Sequence, residues 1–293
     1  MKNNLDLEEI SSILFSEECA PVQLPVCDHY AGNPKFFEKA LQVRGEIGAC
    51  FDITIDLEDG AKVGSETDFV VWAAQALNDF RSRYGAETRR PGVRLHPGSH
   101  SLFEFEARTL LQAKVACPAY LMLPKPQNAQ DVANAIQTMK ALCEKEQVPC
   151  PPIHVLIETH GALAQVQDIA ALPEVESLCF CLMDFISSHR SAIPKAALNS
   201  PGQFDNPLVR RAKLEISAAC HRFGKVPSHN VTRNVVEPEI AGEDAMKAKK
   251  EFGYTRMWSI HPDQITHIVS AMLPTHNEVQ EATAVLSEAQ KAN

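Results

Sequence analysis

The chain has 293 residues, of which 45% are hydrophobic and 22% charged, and its formal net charge is −9. This balance excludes disorder, collagen and coiled coil as descriptions of the whole, and it leaves no broad basic face for nucleic acid or an anionic membrane. No apolar stretch approaches the roughly 20 residues of a membrane span, and the start, MKNNLDLEEISSILF, lacks the charged-then-apolar build of a secretory signal. These features read as a soluble, cytoplasmic chain.

In chain order, short apolar runs closed by polar residues occur at 22–27, 51–59, 92–96, 119–125, 153–159, 177–184, 225–231 and 255–262. Helical patterns separate them, from PKFFEKALQVRGE to AGEDAMKAKKEFG. Strands alternating with helices predict a parallel sheet of βαβ units. Eight strands in about 250 residues suit a TIM (β/α)8 barrel. A doubly wound open sheet is the alternative, although its G-x-G-x-x-G turn is absent. Residues 1–262 are read as the barrel and 263–293 as a C-terminal helical extension. In that extension Val279, Ala282, Val285 and Leu286 recur at three- and four-residue steps. A closed barrel has already covered its sheet, so this stripe needs another surface, on the same chain or on a neighbour. Residues 185–209 show no clean periodicity and carry His189, Arg190 and Lys195. They are read as a lid over the barrel mouth.

The nine cysteines form no C-x-x-C pair. Cys179 and Cys181 lie in an apolar run and read as reduced core thiols. Cys27, which closes an apolar run before Asp28, is the one kept open for chemistry.

Active sites of TIM barrels sit at the C-terminal ends of the strands. Here those ends carry Glu58, Asp59, Arg94, His96, Lys125, Glu158, His160, Asp184, His229 and His261. Strand alternation puts Asp56 and Glu58 on one face, opposite Ile53, Ile55 and Leu57. It also puts Glu158 and Asp184 at the inward ends of adjacent strands, where two carboxylates could hold one Mg2+. Each could instead cap a helix or pair with a rim cation. Arg94 suits a bidentate carboxylate contact, or equally an ion pair with Asp56 or Glu58. The four histidines allow a zinc site as a lesser alternative.

The motifs I-D-L-E-D-G (55–60), V-R-L-H (93–96), L-P-K (123–125), L-I-E-T (156–159), L-M-D (182–184) and S-I-H-P-D-Q-I (259–265) together resemble the citrate lyase β-subunit-like family. That family stands among the phosphoenolpyruvate/pyruvate-type barrels with the 2-oxo-acid aldolases. The resemblance implies that Glu158 and Asp184 are Mg2+ ligands, with Glu158 also touching substrate, and that Arg94 anchors a substrate carboxylate. It makes Glu58 and Asp59 supporting groups near the metal waters, and it puts Ile260 and His261 near an acyl-CoA arm. The implied activity is Mg2+-dependent carbon–carbon cleavage or condensation of a β-hydroxy acid or its CoA thioester, of malyl-CoA or citramalyl-CoA type. Asp28, His29 and Asp59 are candidates for the base. A homo-oligomer, trimer or hexamer, follows from the same resemblance. Three segments depart from the family pattern. The first-strand loop P-V-C-D-H-Y-A-G-N-P-K lacks the family Arg, the sixth strand runs into L-M-D-F-I-S-S-H-R, and the seventh region reads V-P-S-H-N-V-T-R-N-V. These departures keep open a 2-oxo-acid aldolase acting on free 4-hydroxy-2-oxo acids. A non-catalytic barrel that binds small acids is a third reading.

Overall fold

A computed structural model describes residues 14–15, 21–86 and 88–292. Most of the N-terminal stretch discussed above therefore lies outside the described residues. Eight strands form one closed barrel: β1 (Cys27–Ala31), β2 (Asp52–Asp56), β3 (Gly92–Arg94), β4 (Leu121–Leu123), β5 (Ile153–Ile157), β6 (Val175–Phe180), β7 (Val226–His229) and β8 (Arg256–Ser259). Every neighbouring pair, including β1 with β8, is parallel. The open-sheet alternative is excluded.

Two strands differ from their expected spans. The first run, 22–27, is only the approach to β1, because Pro25 has no N–H for the ladder and pairing starts after it. The sixth run, 177–184, ends early as a strand: β6 stops at Phe180 and a helix begins at Leu182. Leu182 is buried from that helix just as it would be from a strand. A short buried apolar run cannot separate the two by periodicity alone.

The barrel interior is polar at its lower level. Arg256 is fully buried and bonds Asp28 and Asp52, each at 2.8 Å, and the Pro25 carbonyl at 2.7 Å. Tyr120 stacks on His154, with ring centroids 3.9 Å apart, and its hydroxyl lies 2.7 Å from that of Thr54. A Cβ on Gly92 would sit 2.1 Å from the Tyr120 ring, so only glycine admits it there. Barrels usually fill this level with branched aliphatics. Here each charge has its counter-charge, and removing one partner would leave the other buried and unpaired, at a cost of about 3–5 kcal/mol. One step toward the C-terminal ends, Tyr30, Met122, Leu156, Cys179 and Trp258 form an apolar layer. The charged rim sits on that layer.

Helix Pro262–Met272 buries Ile265 and Ile268 completely and packs as the eighth outer helix. Of the segment 263–293, only helix His276–Ala292 therefore stands apart, with Val279 at 47% and Val285 at 68% exposure. Among the described residues no helix is long and apolar enough to cross a membrane. Residues 185–209 are more ordered than an open lid. They hold helix Leu182–Ser188, a 3-10 turn at Lys195–Leu198 and a short helix at Gly202–Asp205, with Ile193, Ala197 and Phe204 buried.

Candidate active site

The β2–β3 register sets Asp56 directly beside Arg94. The Arg94 Nε donates to Asp56 Oδ1 at 2.5 Å, Nη1 lies 3.2 Å from Glu58 Oε2, and Nη2 donates to Asp59 Oδ2 at 2.9 Å. All three nitrogens of the buried guanidinium thus face carboxylates. Burial opposes its charge, but Asp56 and Glu58 outweigh that and hold it firmly protonated. The Tyr30 hydroxyl donates to Asp56 Oδ2 at 2.6 Å, and the N–H groups of Glu58 and Asp59 bond the same carboxylate. Burial pushes the Asp56 pKa up, yet these donors, led by Arg94, bring it below the ordinary value. The loop after β2 is therefore pinned from inside the barrel, with Asp59 61% exposed at its edge.

Lys125 supports a second carboxylate. Its backbone sits at a φ of 52°, in the left-handed region, a strained choice for a lysine. In that conformation its N–H donates to Glu158 Oε1 at 2.7 Å, while its Nζ pairs with Glu58 Oε1 at 2.6 Å. Next to Glu158, Thr159 donates to the Pro126 carbonyl at 2.6 Å and caps helix His160–Ala164. A Cβ on Gly161 would lie 1.8 Å from the Gln127 carbonyl oxygen. The loops after β4 and β5 are thus stitched together around Glu158.

Glu158 is 1% exposed, and its Oε2 has no hydrogen-bond partner. Burial, with the Asp184 charge adding to it, pushes its pKa up to about 7. Cys181 and Asp184 complete a cluster in which one donor atom from each residue lies within 4.8 Å of the others. The Cys181 thiol donates to Asp184 Oδ2 at 3.2 Å. Asp184 does not end a strand, as the alternation suggested. It lies in the first turn of helix Leu182–Ser188, and the turn at Cys181 brings it to Glu158. Cys181, expected to be a core thiol, lies between the two carboxylates; its position three residues before Asp184 in C-L-M-D was the available signal.

Other expected groups fall elsewhere. His29 is on the outer face of β1, bonded to Ser259 at 2.7 Å, and burial lowers its pKa to about 4. Asp28 is fully buried in the Arg256 network. Neither reaches the mouth as a base. The four histidines do not converge: His96 bonds Glu106, His160 bonds the Ser188 carbonyl, His229 lies against Lys213, and His261 caps helix Pro262–Met272. Among the described residues the only cluster suited to a metal is Glu158, Cys181 and Asp184, so the histidine zinc site is set aside. Cys27 is fully buried, and burial pushes its thiol well up, which makes it inert. Ile260 and His261 border a separate cavity of about 510 Å3, beside Lys35 and Lys39.

A carboxylate-rich rim at the C-terminal ends of a parallel eight-stranded barrel, with Arg94 buried among its carboxylates, is the arrangement of a TIM-barrel enzyme. Residues 48–225 match the sequence profile of the HpcH/HpaI aldolase/citrate lyase family. A citrate lyase from Burkholderia xenovorans LB400 is 48% identical, with a TM-score of 0.86 over 94% of this chain and 84% of that one. The citrate lyase β subunit of Mycobacterium tuberculosis, solved with oxaloacetate and magnesium, is 19% identical, with a TM-score of 0.61 over 86% and 98% of the two chains. The protein CitE of the same organism, solved with magnesium, acetoacetate and coenzyme A, is 21% identical, with a TM-score of 0.63 over 93% and 88%. No curated protein matches in sequence. The chain belongs to the HpcH/HpaI aldolase/citrate lyase family, whose citrate lyase-like members are carbon–carbon lyases.

Proposed function

We propose that this chain is a Mg2+-dependent carbon–carbon lyase that cleaves or forms a β-hydroxy acid or its CoA thioester, working as a cytoplasmic homo-oligomer. The observation that carries this reading is Glu158: a buried carboxylate with one oxygen unpartnered, facing Asp184. A buried charge without a partner is costly, and a divalent cation offsets that cost. Glu158 and Asp184 would hold the ion. Sulfur is a poor donor for Mg2+, so Cys181 is read as orienting Asp184 through its hydrogen bond. Once bound, Mg2+ supplies Lewis-acid stabilisation of the charge that develops on substrate oxygens. The remaining chemistry belongs to the chain. Arg94 holds the Asp56 carboxyl below its ordinary value and braces Glu58 and Asp59 at the mouth, and the Lys125 N–H fixes one Glu158 oxygen. Asp59, the exposed member, is the base candidate at the rim. Its departure from Nη2 would free Arg94 for a substrate carboxylate and a developing enolate.

For the CoA thioester, the cavity at Ile260 and His261 lies next to Lys35 and Lys39, two cations suited to phosphate. The 2-oxo-acid aldolase reading is favoured by the missing first-strand arginine. The test is incubation with Mg2+ and a panel of malyl-CoA, citramalyl-CoA and free 4-hydroxy-2-oxo acids. Release of pyruvate, glyoxylate or acetyl-CoA from one class is the expected result. Silence across the panel, with Mg2+ bound, would favour a non-catalytic acid-binding barrel.

A further inference from the structure

The cations near the mouth are not equally free. Arg94 spends its three nitrogens on Asp56, Glu58 and Asp59, and the Lys125 Nζ is taken by Glu58. Beside the Glu158–Cys181–Asp184 cluster lies a cavity of about 60 Å3, lined by Arg94, Leu156, Cys181, Asn230, Arg233 and Trp258 among others. Arg233 is the second guanidinium on its wall. It is solvent-exposed and makes no hydrogen bond or ion pair with any described residue.

The loop that carries Arg233 is nevertheless tightly built. Gln264 is fully buried, and its Nε2 donates to the carbonyls of Thr232 at 2.9 Å and Asn234 at 3.0 Å, one on each side of Arg233. Its Oε1 accepts from the N–H groups of Ile260 and His261. Thr232 Oγ1 donates to Asp244 Oδ2 at 2.5 Å, and Asn234 Oδ1 accepts from Val236 and Glu237. The backbone on either side of Arg233 is thus fixed while its guanidinium is left open at the cavity. A planar, permanently charged fork in that state suits a carboxylate.

We propose that Arg233 is the specificity-determining residue that receives a second carboxylate, at the substrate end remote from Glu158 and Asp184. It would thereby select dicarboxylic over monocarboxylic acids. The inference rests on the lyase reading above, with Glu158 and Asp184 holding the acid through Mg2+ at the near end. The two fail separately. Calorimetry with Mg2+ compares pyruvate with fresh oxaloacetate, which differs from it by one carboxylate, on the wild type, Arg233→Gln and Arg233→Lys. The wild type should prefer oxaloacetate by about tenfold or more, the worth of one charged hydrogen-bonded contact. Arg233→Gln should lose that preference while its pyruvate and Mg2+ affinities stay unchanged, and Arg233→Lys should recover part of it. Unchanged oxaloacetate affinity in Arg233→Gln would overturn the assignment and leave the lyase reading intact. Failure of the wild type to bind either acid with Mg2+ would overturn both.

Discussion

Arg94 holds three carboxylates at once, and that sets what its replacement should do. In Arg94→Lys a single ammonium cannot meet Asp56, Glu58 and Asp59 in their present geometry. The loop after β2 then loses its internal brace, and kcat/KM should fall by an amount equivalent to about 2–5 kcal/mol. A near-normal kcat/KM would mean that the guanidinium serves packing only. Glu158 makes a prediction of opposite sign for stability. Its folded pKa is raised from 4.5 to about 7, so the folded chain holds this proton more tightly than the unfolded chain does. Without metal, the wild type should lose roughly 3 kcal/mol as pH rises from about 4.5 through 7. Glu158→Gln removes that loss. It should melt above the wild type at pH 8, match it near pH 4.5, and lose its advantage when Mg2+ is added. A difference in Tm that does not vary with pH would contradict the assignment of a buried, unpaired carboxylate. Glu158 and Arg94 were legible in the sequence because each closes an apolar strand, where a charge stands out. Cys181 was not, because its role depends on a chain turn that brings it between two carboxylates. Asp28 looked like a rim acid, but its partner Arg256 lies on β8, and no local pattern reports a pairing across the barrel seam.

At the scale of elements, the segment 185–209 divides in two. Its later half is anchored: Ser200 and Gln203 bond Asp244, and Lys213 Nζ donates to Gln203 Oε1 at 3.0 Å. Lys213 itself is fully buried, 2.7 Å from His229 Nε2 and 4.0 Å from the centroid of the Phe204 ring. Burial lowers its pKa well below the ordinary range. Its earlier half turns through Arg190 and Ser191, both at positive φ, just past the helix that carries Asp184. A lid, if one closes, belongs to that half. Hydrogen exchange should find strong protection over 197–206 without ligand, and slowing at 187–192 on addition of acid and Mg2+. Equal protection across 185–209 in both states would make the segment a fixed wall. The number and order of the strands were legible, since strand–helix alternation survives small errors at the ends. Those ends moved by several residues, at Pro25 and at Leu182. The anchoring of 194–206 was hidden because Phe204 and Gln203 find partners only in the folded barrel.

For the whole molecule, the polar barrel interior and its aliphatic outer layer account for a closed, self-sufficient barrel that does not use the helix His276–Ala292. That helix leaves Val279 and Val285 exposed, and in the homo-oligomer proposed above this face would carry the subunit contact. Deletion of residues 275–293 should reduce the oligomer seen by light scattering and lower activity, with the barrel still folded by circular dichroism. A clean monomer for the full chain, together with full activity after the deletion, would refute that assignment.

The account turns on whether Glu158 and Asp184 share a divalent cation, and isothermal titration of Mg2+ into the wild type, Glu158→Gln and Asp184→Asn tests it most directly. The wild type should bind one Mg2+, and each variant should bind it at least about tenfold more weakly while keeping its fold. Equal Mg2+ affinity in all three proteins would contradict the proposed site.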